Sequence, residues 1–271
     1  MKRILHILSL LISITFTLTG CMTFAKKHND PIDPYEGYNR AMFKFNMKFD
    51  KTIYRPVAQL YDDAVPPQYN AGIRNFFQNL DELPTVANDL LQADFIHAAG
   101  DTWRFALNTT LGIGGLVDMA KKMGLPAHSN DFGVTLAKWG VRKSEYVMIP
   151  FLGPSTFCDS LGFLVDYQSF MIYPHIKPGI RYSLHGLQLT QMRASLLPSD
   201  KLLYEAFDPY VFLRNAYLQH RDNEIRKALG EQQETDTWVE DNETATNPST
   251  ESIPSKKIET AKSKHIPLFI T

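Results

Sequence analysis

The sequence predicts an all-α fold: a single multi-helix domain with amphipathic helices, followed by a polar tail. Apolar residues recur at spacings of three and four along most of the chain, which is the period of one helix face. Proline and glycine pairs such as Pro66-Pro67 separate these stretches, as helix boundaries do. The chain has 271 residues, of which 44% are hydrophobic, and this suffices for one large domain with its own core.

The first 20 residues have the pattern of a bacterial lipoprotein signal peptide. Lys2 and Arg3 precede an apolar run over residues 4–18, and Thr19-Gly20-Cys21 follows. A transmembrane helix is the alternative, but the run is shorter than the ~20 residues that a span needs, and serines and threonines dilute it. We therefore predict cleavage before Cys21 and acylation of its thiol. Met22 in the next position, rather than Asp, favours sorting to the outer membrane.

The first predicted helix covers residues 35–54, after a polar tether at 21–34. One helical stripe of apolar side chains defines it: Tyr35, Tyr38, Met42, Phe45, Phe49 and Ile53. Two interpretations of this stripe stay open. It faces a protein core, with the basic residues in solvent, or it lies at a membrane interface with the cations toward lipid headgroups. Pro56 is expected to end or kink this helix.

Further helices are predicted at 68–80, 84–92, 94–108, 117–123, 157–173, 180–197, 199–206 and 209–229. Asp94 is a predicted N-cap, and Trp103 is expected to face a core. Residues 112–115 form a loop, and residues 130–156 hold a short strand or a buried extended segment. The helical domain is assigned to 35–230. Residues 231–271 are so polar that we predict a disordered tail.

Composition and motifs exclude several function classes. The formal net charge of −1, without a basic patch, gives no support for nucleic-acid binding. The eight histidines are scattered and no metal-ligand spacing is present, so no metal is expected. The loop at 112–115 lacks the Gly-Lys-Ser/Thr end of a phosphate loop, so no cofactor is expected either.

No motif supports an active site. Ser155 does not stand in a Gly-x-Ser-x-Gly elbow. Cys158 could be paired with His175 or His185, but nothing in the spacing favours it, and a packed cysteine is the better interpretation. Once Cys21 is acylated, Cys158 has no partner for an intramolecular disulfide. The sequence thus predicts a protein that works through surfaces and is not an enzyme.

Several motifs in fixed order resemble those of the VacJ/MlaA family of outer-membrane lipoproteins. They cover about residues 33–230 and lie at 33–40 (Asp-Pro-Tyr-Glu-Gly-Tyr-Asn-Arg), 45–46 (Phe-Asn), 55–58 (Arg-Pro-Val-Ala), 75–80 (Asn-Phe-Phe-Gln-Asn-Leu), 104–115 (Arg-Phe-Ala-Leu-Asn-Thr-Thr-Leu-Gly-Ile-Gly-Gly), 131–136 (Asp-Phe-Gly-Val-Thr-Leu), 150–156 (Pro-Phe-Leu-Gly-Pro-Ser-Thr), 208–210 (Asp-Pro-Tyr) and 216–218 (Ala-Tyr-Leu).

The resemblance implies a ring-like helical protein in the periplasmic leaflet of the outer membrane, with an amphipathic channel. It implies removal of misplaced glycerophospholipid from the outer leaflet and transfer to the periplasmic phospholipid carrier of the Mla pathway, with trimeric porins as partners. The residues taken as lipid channel or loop candidates on this basis are Asn39, Arg40, Phe45, Asn46, Gly112, Gly114, Gly115, Arg142 and Lys143.

The chain departs from the family pattern in one loop that bears on these candidates. The family often has Gly-Val-Gly-x-Gly-Pro-Tyr where this chain has residues 140–146, so Arg142 and Ser144 stand in place of two glycines and Glu145 in place of a proline. We expect this loop to flex less than in relatives, and Arg142 and Lys143 to meet lipid headgroups. The alternative function is a porin-associated interaction lipoprotein without transport activity, and a third hypothesis is an envelope hydrolase using Ser155 or Cys158.

Overall fold

The computed structural model describes residues 30–142, 144–170 and 173–231, which form one predominantly helical domain with a single two-stranded sheet. The predicted all-α class is confirmed. The helices are α1 (Glu36–Phe49), α2 (Arg55–Ala64), α3 (Pro67–Leu91), α4 (Phe95–Thr110), α5 (Met119–Lys122), α6 (Phe132–Lys138), α7 (Phe157–Ser169), α8 (Pro178–Leu196), α9 (Asp200–Tyr204) and α10 (Pro209–Leu229). Strands β1 (Tyr146–Ile149) and β2 (Gly153–Thr156) pair antiparallel as a hairpin.

Two prolines behave differently from the expectation. The chain stays helical at Pro56, because a π-helical turn at Asp50–Tyr54 joins α1 to α2. Pro56 occupies an early position of α2, where a missing backbone N–H is tolerated. Likewise α3 runs through Pro84 instead of dividing into two helices. Pro84 is buried and α3 packs along α4, so tertiary packing overrides the local cost of the proline.

Side-chain caps begin four of the longer elements. Asp94 accepts a hydrogen bond from the His97 amide at 3.2 Å, as predicted for α4. Asp131 caps α6 in the same way, and this helix was missed in the sequence. Its Gly133 explains why: a Cβ there would come within 2.5 Å of the Asp159 carboxylate, so the glycine serves close packing against α7 and does not mark a loop.

Contacts between elements form a closed circuit through the domain. From α1 and the π turn the circuit passes to α2, then α8, α3, α6 and α10, and it returns through the β hairpin to α1. An apolar core lies where the hairpin meets α10. It consists of the buried side chains Tyr146, Met148, Tyr210 and Tyr217.

Within the described residues, none of the helices combines the length and the apolar character that crossing a membrane requires.

Candidate functional site

The α3–α4 hairpin has polar side chains inside and apolar side chains outside. On α4, Asp101, Arg104 and Asn108 are at most 4% exposed. Ile96 and Trp103 on the same helix are 86% and 65% exposed. The expectation that Trp103 faces a core is therefore wrong, because the opposite face of α4 is the buried one.

Hydrogen bonds hold buried polar groups of the hairpin to one another and to neighbouring segments. Arg104 donates from Nε to Glu82 Oε1 at 2.8 Å and from Nη1 to the Leu125 carbonyl at 2.7 Å. Asn88 donates to Asp166 at 2.8 Å, and the Thr135 hydroxyl donates to Asn88 at 2.8 Å. Such pairing is what makes a polar interior tolerable.

Burial in this interior changes the acidity of its carboxyl groups. It raises the pKa of Glu82 to about 7, although the Arg104 ion pair opposes the rise. It also raises the pKa of Asp166 to about 6 against the hydrogen bonds from the Phe132 amide and Asn88. These carboxyl groups on the buried side of the α3–α4 hairpin are therefore shielded from water.

The exposed apolar side chains extend over several helices. Besides those of α4 they include Val57, Leu60, Tyr69, Leu90, Leu91, Leu111, Ile113, Leu161, Leu164, Ile180 and Tyr182. Exposed apolar surface on this scale is typical of proteins whose surroundings are apolar or that bind an apolar partner.

A cavity of about 150 Å³ lies among α1, the hairpin and the segment from the end of α8 to α10. Phe49, Tyr54 and Phe151 form part of its wall, and the Phe49–Phe151 and Phe49–Tyr54 ring centroids are each 4.9 Å apart. Phe45 packs on the same cluster from outside, 5.0 Å from Phe151. Phe151 sits at the hairpin turn with φ of 66°, a left-handed conformation that is uncommon for a residue with a bulky side chain.

One edge of this cavity carries charge. Arg193 is 4% exposed and binds Asp50 at 2.6 Å and Asp200 at 2.9 Å. Its Nη1 has no hydrogen-bond partner among the described residues. The cavity therefore combines aromatic and aliphatic walls with one free buried donor.

Three of the predicted site residues tie α1 to its neighbours. Asn39 is buried; it donates to Asp33 at 2.7 Å and accepts from the Met148 amide at 2.8 Å. Arg40 forms a bidentate pair with Asp208 at 2.8 and 3.2 Å. Asn46 accepts from the Phe151 amide at 2.8 Å, donates to the hairpin and lines the cavity.

The predicted glycine loop forms the turn after α4. A Cβ on Gly112 would lie 2.2 Å from the Val117 carbonyl, and one on Gly115 would lie 2.7 Å from Asn79, so close backbone approach requires both glycines. Gly114 has φ of +67° and faces open space. With Ile113 it borders a second, open apolar pocket, whose other lining residues are Ile73, Phe76, Leu116 and Leu187.

Among the remaining predicted residues, Arg142 lines neither cavity. Arg142 is exposed and pairs with Glu231 at 3.2 Å. Lys143, Cys21, the tether up to residue 29 and the tail from residue 232 lie outside the described residues. Contact of any of these residues with lipid stays a prediction.

The two proposed nucleophiles lie near the β hairpin. Ser155 is buried, and its hydroxyl bonds the Thr156 carbonyl at 3.1 Å and the Ser160 hydroxyl at 3.0 Å. The Cys158 amide donates a hydrogen bond to the Ser144 hydroxyl at 2.8 Å. His185, one of the two histidines considered as a partner of Cys158, contacts the Tyr167 hydroxyl at 3.1 Å.

One cluster was missed in the sequence. Asp89, Asp101 and His128 place one potential ligand atom each within 4.8 Å of the other two. These residues are 12 and 27 positions apart, so no local motif reveals them. The packing of α3, α4 and the segment before α6 brings them together.

The fold and surface define a class of protein: a helical domain with a polar interior between α3 and α4, many exposed apolar side chains and apolar cavities. Comparison with known proteins agrees. The family model described as "MlaA lipoprotein" matches residues 31–224, and the chain belongs to this family.

Relatives and a solved structure support the membership. The "Intermembrane phospholipid transport system lipoprotein MlaA" of Escherichia coli (strain K12) is 37% identical over 216 residues, covering 77% of this chain and 84% of that protein. The protein of the same name from Haemophilus influenzae is 32% identical, covering 79% and 88%. A structure described as "Structural basis for maintenance of bacterial outer membrane lipid asymmetry" matches with a TM-score of 0.64 and 37% identity, covering 71% of this chain and 98% of that one.

Proposed function

We propose that this protein is an outer-membrane lipoprotein, anchored through acylated Cys21 in the periplasmic leaflet, that removes misplaced glycerophospholipids from the outer leaflet. It passes them through an amphipathic channel to a periplasmic carrier of the Mla pathway and so maintains lipid asymmetry. The observation that carries this proposal is the packing of α3 and α4, with polar side chains inside and apolar side chains outside.

The packing favours a location in lipid because of the cost of the alternative. Each Å² of apolar surface left in water costs about 25 cal/mol, and a fully exposed large side chain costs roughly 1.5–3 kcal/mol. Ile96 and Trp103 on α4, together with Leu60 on α2, would all bear this cost in water. In the acyl region of one leaflet the cost disappears, while the polar interior stays shielded from hydrocarbon.

The cavities and the interior supply what lipid passage needs. The walls at Phe49, Phe151 and Phe212 suit acyl chains, and the free Nη1 of Arg193 can meet a polar headgroup atom. Moving a phospholipid between membranes breaks no covalent bond, so such surfaces suffice and no catalytic set is required.

The test is made in cells that lack the protein. Deletion should raise outer-leaflet phospholipid, measured with an outer-membrane phospholipase reporter, and the wild-type gene should lower it again. Leu203→Trp, which narrows the cavity, should fail to restore the low level. Leu164→Trp, the same change at an exposed leucine on α7, should restore it.

Two results would count against the proposal. Unchanged outer-leaflet phospholipid in the deletion strain would leave the alternative, a lipoprotein that only binds trimeric porins. Full restoration by Leu203→Trp, at wild-type abundance and membrane location, would mean that lipid does not use this cavity.

A further inference from the structure

The cluster of Asp89, Asp101 and His128 contains a buried carboxylate oxygen that has no hydrogen-bond partner among the described residues. Asp89 is fully buried; its Oδ1 accepts from Asn130 at 2.7 Å, but its Oδ2 has no hydrogen-bond partner. Asp101, the neighbouring carboxylate, is 2% exposed. A buried carboxylate oxygen beside a second carboxylate needs a positive group between them, because burying unpaired charge is very costly.

We propose that Asp89, Asp101 and His128 bind a divalent transition-metal cation of the Zn²⁺ type. Two carboxylates and one imidazole are ligands that such ions accept, and three protein ligands leave a fourth position for water. The site would join the end of α3, the middle of α4 and the segment before α6.

The geometry is close to what a metal needs. The His128 Nδ1 atom lies 2.9 Å from Asp101 Oδ2 and 3.7 Å from Asp89 Oδ1. Neighbouring ligand atoms of a tetrahedral ion stand roughly 3.4 Å apart, given metal–ligand bonds of 2.0–2.2 Å. A small opening of the His128–Asp101 pair, with the ion replacing the imidazole proton, would bring these two separations close to that value.

The surroundings support a cation there. Asn130 holds Asp89 through Oδ1 and leaves Oδ2 free, as supporting residues do around metal ligands. Asp94 adds a further negative charge near His128, and the His97 ring stacks on the His128 ring at 4.5 Å. His128 is one-third exposed, which gives an ion a route from solvent.

The test uses the full-length lipoprotein in detergent, stripped with a chelator and dialysed against Zn²⁺, with Mg²⁺ as a comparison. Bound metal is counted by mass spectrometry, and we expect one Zn²⁺ per chain. Asp89→Asn and His128→Gln should each weaken binding at least about tenfold. His175→Gln and Asp222→Asn, at exposed positions away from the cluster, should bind as the wild type does.

Thermal unfolding gives a second measurement. Zn²⁺ at 100 times its Kd should raise the wild-type Tm by roughly 5–10 °C, and the chelator should reverse the rise. Absence of bound Zn²⁺ in the wild type overturns the proposal, as does an equal Tm rise in Asp89→Asn. A higher Tm of metal-free Asp89→Asn, together with no Zn²⁺ binding to the wild type, would assign a shared proton instead of a metal.

Discussion

Two regions of the domain bury different kinds of side chain: the core at the β hairpin buries apolar ones, and the α3–α4 hairpin buries mostly polar ones. At the β hairpin, Tyr146, Met148 and Tyr210 are nearly inaccessible, as in a water-soluble protein. In the α3–α4 hairpin the buried positions belong to groups such as Arg104, while Trp103 next to it is largely exposed. The first region is stabilised by burial of apolar surface, and the second by paired polar groups.

With the proposed location in a leaflet, the contrast means that the two regions have different surroundings. Burial of apolar surface stabilises a region only if that surface would otherwise be in contact with water. Where the outside is hydrocarbon, that driving force vanishes, and hydrogen bonds and ion pairs between helices take over. If the domain lies in the leaflet as proposed, the change from one packing mode to the other follows how deeply each region enters the lipid.

The largest expected effect is in the apolar core. Tyr146→Ala should lower the free energy of unfolding by about 3–5 kcal/mol, because it leaves a cavity in place of a fully buried ring. Tyr146→Phe is the matched control. The Tyr146 hydroxyl has no hydrogen-bond partner among the described residues, so its removal should be neutral or stabilising. Denaturant unfolding in detergent measures both; a larger loss for the Phe variant would contradict the core assignment.

Two adjacent residues on opposite faces of α4 give the next largest effect. Arg104→Met should cost about 3 kcal/mol, because it leaves Glu82 buried without its partner. Trp103→Ala should change stability in detergent by less than about 1 kcal/mol, since the ring is mostly exposed. The same unfolding assay checks both variants. The inverted packing would be wrong if Trp103→Ala were the more damaging change.

A smaller effect concerns the pH dependence of the polar region. Burial and the neighbouring Glu82 raise the pKa of Asp81 from 3.8 to about 7. The folded state therefore binds the proton more tightly, and this group's contribution to stability is lost as pH rises from about 4 to about 7. Asp81→Asn should raise the Tm relative to the wild type by about 3 °C at pH 8 and by little at pH 4.

The control for this pH effect is Asp222→Asn, which changes an exposed carboxylate. Its Tm difference from the wild type should not vary between pH 4 and pH 8. A pH-independent Tm difference for Asp81→Asn would show that the Asp81 carboxyl ionises as it does in water.

The sequence predicted the helices well but not which way they face. The period of α4 and its Asp94 cap follow from local residue types, and both are observed. Periodicity shows only that Trp103 shares a face with other apolar residues. Which face turns inward depends on the solvent, and the assumption of water placed Trp103 inside.

The sequence predictions that were wrong concern features that tertiary contacts decide. The π turn before Pro56, the continuation of α3 through Pro84 and the glycine-containing helix α6 all depend on neighbouring elements that a local pattern does not reveal. The candidate site shows the same limit. Asn46 was singled out through the family motif, whereas Arg193 and His128 belong to no motif and emerge only when distant segments meet.

The claim that the outer face of α4 lies in lipid is tested most directly by the fluorescence of Trp103. A chain with Trp139→Phe and Trp238→Phe keeps this single tryptophan and is reconstituted into vesicles that contain brominated phospholipids. We predict strong quenching by the bromine atoms and little quenching by iodide in the aqueous phase. Quenching of Trp103 by iodide, with none by the brominated lipid, would contradict the account.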